Sequence, residues 1–132
     1  MDPKGRPLSP PLAHIRLTLA REPGHPDGDP ETGYDLVAVV DHDGRLDAAG
    51  CKTAGERCRV RRFEAGETVS TGRLRHAGRH RWFLDFEPGD RDDQTGFRFD
   101  DAAFLPGAYV SLTGYDGVQH TYAVARFGPV ES

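Results

Sequence analysis

The chain has 132 residues, a formal net charge of −4, 36% hydrophobic residues and 29% charged residues. That length suits a single domain with one core, and the acidic balance argues against a dedicated, uniformly basic DNA-binding protein. Apolar runs stay far short of the roughly 18 residues that cross a bilayer as a helix, while 16 Gly and 10 Pro imply many turns between short elements, as an all-β domain needs.

Met1 to Pro11 is polar and carries Pro3, Pro7, Pro10 and Pro11. It lacks both the apolar core of a secretory signal or anchor and the arginine-rich amphipathic pattern of a transit peptide. Residues 1–13 are therefore expected to form a flexible tail, with 14–132 as a single β-rich domain. A cytoplasmic location is the expectation.

From His14 to Ala20 the residues alternate, with Ile15, Leu17 and Leu19 on one face and Arg16 and Thr18 on the other. Period two of this kind predicts a half-buried strand. Arg21 to Gly33 holds Pro23, Gly24, Pro26, Gly28, Pro30 and Gly33, and at that density of breakers a loop is expected throughout. Tyr34–Val40 is nearly all apolar and Val-rich, which predicts a more fully buried strand. Asp41-His42-Asp43-Gly44 then supplies a turn.

Leu46 to Glu56 is the one plausible helix, with Asp47 as its cap. Gly50 and Gly55 weaken it by about 1 kcal/mol each against Ala. Beyond it, Cys58, Val60 and Phe63 define a strand with Arg57, Arg59, Arg61 and Arg62 threaded between them. Glu67–Arg75 and His80–Phe86 read as a hairpin turning at Ala77-Gly78, with Trp82, Leu84 and Phe86 facing one way. A charged loop from Glu87 to Gly96 precedes a short Phe97–Phe99 strand, and Pro106-Gly107 marks a turn. Tyr109–Thr113 pairs with Val118–Phe127 around Tyr115-Asp116-Gly117.

About seven or eight short strands at regular spacing predict a mainly β fold: a single small antiparallel β-barrel or β-sandwich with at most one short helix.

Charge is unevenly spread along the chain. Eight Arg lie between Arg57 and Arg81 against Glu64 and Glu67 alone. Eight acids lie between Glu22 and Asp47 against Arg45, and seven between Asp85 and Asp101 against Arg91 and Arg98. One account is structural: neighbouring strands of opposite charge pair across the sheet. The rival account is a cationic face for an anionic partner, with Phe63, Trp82 and Phe83 among the arginines as stacking groups. Trp82, however, is expected to point inward.

Cys51 and Cys58 match neither a zinc knuckle nor a redox Cys-x-x-Cys pair, so two ordinary thiols are expected. The loop around His25 joins an imidazole to Asp27 and Asp29 on a proline-stiffened backbone, a combination able to ligate a divalent metal or move a proton. A solvent-exposed or capping loop is the plainer reading of it. Asp90 to Gly96 lacks the sixth-position glycine, the twelfth-position glutamate and the flanking helices of a calcium loop, so an EF-hand is rejected.

Of the six histidines, His76 and His80 flank one hairpin turn. His120 needs a partner if it turns inward with Tyr122 and Val124. There is no Gly-x-Ser-x-Gly elbow and no phosphate loop. No catalytic residue, resident metal or cofactor is therefore expected.

At Arg-Glu-Pro-Gly-His-Pro (21–26), Gly33-Tyr34, Cys58-Arg59-Val60-Arg61-Arg62-Phe63, Pro106-Gly107-x-Tyr-Val and His120-Thr121, the chain resembles a small family of uncharacterised bacterial proteins. The resemblance covers most of the chain beyond the tail. It implies one compact domain and carries no activity. The Pro-Gly-x-Tyr-Val segment is also similar to a strand start in flavin-binding reductase barrels, but their Arg-x-Tyr-Ser element is missing.

Three functional readings follow. The leading one is a non-enzymatic binding or interaction module for an anionic partner or protein, with Arg59, Arg61, Arg73 and Arg75 in one exposed patch. The second is a small metal- or ligand-dependent enzyme using His25, Asp27 and His120. The third is a nucleic-acid-binding β-barrel.

Overall fold

The computed structural model describes residues 12–22, 24, 26–77, 81–86, 94–97, 103–113 and 118–130. The Met1–Pro11 segment, His25, Gly78 and His80 of the β4–β5 turn, residues 87–93 of the charged loop, Phe99, and the Tyr115-Asp116-Gly117 turn therefore lie outside the described residues. Among the described residues eight strands run in chain order: β1 (Leu12–Leu19), β2 (Asp29–Val39), β3 (Arg59–Glu64), β4 (Glu67–Ala77), β5 (Arg81–Phe86), β6 (Gln94–Phe97), β7 (Tyr109–Thr113) and β8 (Gln119–Pro129). Each pairs antiparallel with its sequence neighbours, and β8 returns to β1, so the sheet closes into a barrel rather than a sandwich. Closure removes the two free edges an open sheet would expose.

The expected alternation is what fills the interior. Ile15, Leu17, Leu36, Trp82, Leu84 and Leu112 are all essentially without solvent exposure and belong to one core. The helix α1 (Ala48–Ala54) follows an Asp47 cap whose carboxylate accepts from the Gly50 N–H at 3.0 Å. It covers the end of the barrel where β2 finishes, adding Cys51 and Ala54 to the core. No helix among the described residues is long and apolar enough to cross a membrane.

Four details depart from the sequence reading. β6 spans Gln94–Phe97 and so lies mostly inside the Glu87–Gly96 segment expected to be a charged loop. β1 starts at Leu12, two residues inside the segment expected to be tail. β2 starts at Asp29, inside the segment expected to be loop throughout, because Gly33 lets β1 and β2 approach closely: a Cβ there would lie 1.8 Å from the Leu17 carbonyl oxygen. Phe63 is buried but not with Cys58 and Val60. In step with the pairing Gly33↔Phe63 and Leu36↔Val60, it lies on the opposite, outer face of β3.

Candidate functional site

The register of five strands writes two rows of side chains across the outside of the barrel. One row runs Arg126, Arg16, Asp35, Arg61, Thr71 from β8 to β4. The next runs Gly128, His14, Val37, Arg59, Arg73 over the same strands. These positions face outward because their neighbours Ile15, Leu17, Leu36 and Val60 face the core.

Asp35 is the centre of the first row. It is a carboxylate only 8% exposed, set in an otherwise apolar strand. Its Oδ1 accepts from Arg16 Nε at 2.9 Å and meets His14 Nε2 at 2.8 Å. Its Oδ2 accepts from Arg16 Nη2 at 3.0 Å and Arg61 Nη1 at 2.5 Å. Burial pushes the Asp35 carboxyl up, but hydrogen bonds from Arg16, His14 and Arg61 outweigh that and leave it below its ordinary value. The Arg16 guanidinium is raised in turn by its bond to Asp35.

Phe63 forms the floor under both guanidinia, which lie 5.1 Å (Arg16) and 5.2 Å (Arg61) from its ring centroid. Arg61 is held from its other side by donating Nε–H to Thr68 Oγ1. Two arginines clamped on a carboxylate, an aromatic ring and a hydroxyl lose little further entropy when they meet a ligand.

Beside this cluster opens a cleft of about 730 Å³, whose walls include His14, Asp35, Arg59, Arg61, Thr71 and Arg126. Its far side is formed by the end of β8 and by Val130. Arg59 and Arg126 are exposed and make no ion pair among the described residues. A second, smaller cleft of about 430 Å³ lies between α1 and β4, with Lys52, Arg73, Arg75 and His76 on its walls. The two clefts are adjacent at Arg59 and Arg73, which stand directly opposite each other.

The four arginines singled out from the sequence thus share the outer face of β3 and β4, but they are not equivalent. Arg61 is bonded to Asp35, and Arg75 to Asp85 at 2.9 Å, so two of the four do pair with the acidic segments. Arg59 and Arg73 face one another as like charges.

His120 stands opposite Leu112 on β8, half-buried, and its Nδ1 is 3.0 Å from Glu22. Asp27 is exposed, and His25 lies outside the described residues. No group of three or more His, Cys, Asp or Glu able to hold a metal occurs among the described residues. Tyr122 is pushed well up by burial and by Tyr34 beside it.

Sequence reasoning missed Asp35, His14, Arg16 and Arg126. One signal was available: Asp35 is a lone acid inside an apolar run, a position that demands partners.

No family model, curated protein or solved structure matches the chain.

Proposed function

We propose that this barrel is a non-enzymatic binding module that takes an anionic ligand in the outer cleft beside Asp35. The observation that carries the reading is two like-charge pairings in the strand register. Arg59 stands opposite Arg73, and Arg126 opposite Arg16, on the face that borders the cleft. Like charges directly opposite destabilise a sheet, and an anion bound beside them would relieve the repulsion. Asp35 neutralises only part of the charge, because its two oxygens are already taken by the Arg16 and Arg61 guanidinia and by His14.

The volume of the cleft falls in the range of small-molecule sites, which also favours a compact ligand. A nucleic-acid reading has less behind it. Trp82 is fully buried and Phe63 is 2% exposed beneath the guanidinia, so this face offers bases no open aromatic platform. The reading as a metal-dependent enzyme has no supporting cluster among the described residues. The two free, buried cysteines suit a reducing compartment, and we infer the cytoplasm as the location.

Calorimetric titration with inorganic phosphate at several salt concentrations tests the proposal. Binding that weakens with rising salt, and is lost in the Arg59→Ala/Arg126→Ala double variant, supports it. Equal heats from wild type and double variant would refute it.

A further inference from the structure

We infer that the ligand of this cleft is an amphiphilic anion: a small molecule with one phosphate- or carboxylate-type head and an apolar body. The inference rests on the anion-binding reading of the same cleft and specifies what is attached to the anion.

The cleft has two unlike halves. Arg59, Arg61 and Arg126 supply the cationic half, and among them Arg59 and Arg126 have no carboxylate partner among the described residues. Val37, Pro129 and Val130 supply the other half, while Phe127, which also borders it, pairs with Ile15 and packs against the core. Val37 is an apolar side chain on the outer face of the barrel, 9% exposed, between His14 and Arg59 in its row. A space of about 730 Å³ is several times what a bare phosphate needs, so an inorganic ion would sit in it still hydrated. An apolar body would displace that water from the valine and proline surface, which is the favourable step.

The carboxylate in the wall does not oppose such a head. Both oxygens of Asp35 already accept from His14, Arg16 and Arg61, and its charge is more than neutralised by them.

Gly128 keeps the apolar half open. It faces His14 across the β1–β8 ladder, borders the cleft, and has no atom within 4 Å of where a Cβ would stand. A side chain there would therefore occupy the ligand's space without pressing on the core.

The test uses the full chain and a series of probes at fixed ionic strength: inorganic phosphate, butyl, hexyl and octyl phosphate, octanol and a short oligothymidylate. Affinity is expected to rise about three- to four-fold per added methylene from butyl to octyl phosphate, with octanol and inorganic phosphate both far weaker than octyl phosphate. Gly128→Trp is expected to abolish the dependence on chain length while leaving inorganic phosphate binding in place. Arg59→Ala/Arg126→Ala should weaken every phosphate probe, with folding checked by circular dichroism.

If all the phosphates bind wild type equally, the amphiphile is wrong and the anion-binding reading stands. Tighter binding of the oligothymidylate than of octyl phosphate also overturns the amphiphile. If no phosphate probe binds, both readings fall together.

Discussion

Asp35 and Arg61 stand directly opposite each other on β2 and β3, with the guanidinium 2.5 Å from the carboxylate. Arg16 reaches the same carboxylate from β1, so a single buried acid joins three consecutive strands. The folded-state carboxyl is lowered below its usual value, which has a defined consequence for acid stability. Its contribution is fully present above the unfolded-state value near about 3.9 and is lost as pH falls through the lower folded-state value.

Asp35→Asn is therefore expected to cost about 1–3 kcal/mol near neutral pH, the range for hydrogen bonds to a charged group. The arginine side chains, about a third exposed, recover part of the loss through water. Urea titrations should show the gap between wild type and variant narrowing as pH drops below about 4. A gap that stays constant down to strongly acid pH would mean the carboxylate is not the stabilising species.

The turn between β3 and β4 yields a second prediction. Glu64 pairs with Glu67, leaving Ala65 and Gly66 as a two-residue loop, and both have positive φ, 51° and 78°. Two-residue hairpin turns of that hand favour Asn-Gly, and a left-handed alanine carries a cost from its Cβ. Ala65→Asn should stabilise the protein by about 0.5–1 kcal/mol, raising the thermal midpoint by about 2–4 °C. An unchanged or lower midpoint would count against the strain at Ala65.

Gly33 yields the opposite expectation. Its Cβ would stand 1.8 Å from the Leu17 carbonyl oxygen and 3.0 Å from the Thr18 Cα, both backbone atoms that cannot swing aside. Gly33→Ala must push β1 from β2 beside the register shift at Thr18/Leu19, at a cost of about 2–4 kcal/mol. Denaturant melts measure this directly. A loss under about 0.5 kcal/mol, the level of an ordinary surface change, would show that the two strands separate freely.

How legible these features are in the sequence depends on the physics behind each. Ile15, Leu17, Leu19 and Trp82, Leu84, Phe86 alternate, so their burial and the mainly β fold follow from local pattern, whereas closure into a barrel rather than a sandwich rests on the distant β1–β8 pairing. Asp47 as the cap of α1 follows from local chemistry too. The partnership of Asp35 with Arg16 and Arg61 does not, because it joins residues 19 and 26 positions away through registers that no spacing encodes. Phe63 misleads for the same reason: an aromatic at a strand end looks like core, and only the register shows guanidinia above it. Glu22, 98 positions from His120, is another such case, joined to it by the closure of β8 onto β1.

The last prediction separates stability from binding at the Arg59–Arg73 pair. The two face each other across the β3–β4 ladder, and neither has an ion pair among the described residues. Replacing either by Gln removes the same repulsion, so Arg59→Gln and Arg73→Gln should each stabilise by about 0.2–1 kcal/mol. The double variant should gain little more than either single one, since one contact cannot be relieved twice. Added salt should raise wild-type stability toward that of the variants by screening the same contact. Binding should divide them: Arg59 borders the larger cleft and Arg73 the smaller one, so only Arg59→Gln should weaken phosphate binding there. If both substitutions lower stability instead, the guanidinia are compensated within the fold, and the like-charge argument for an anionic ligand loses its basis.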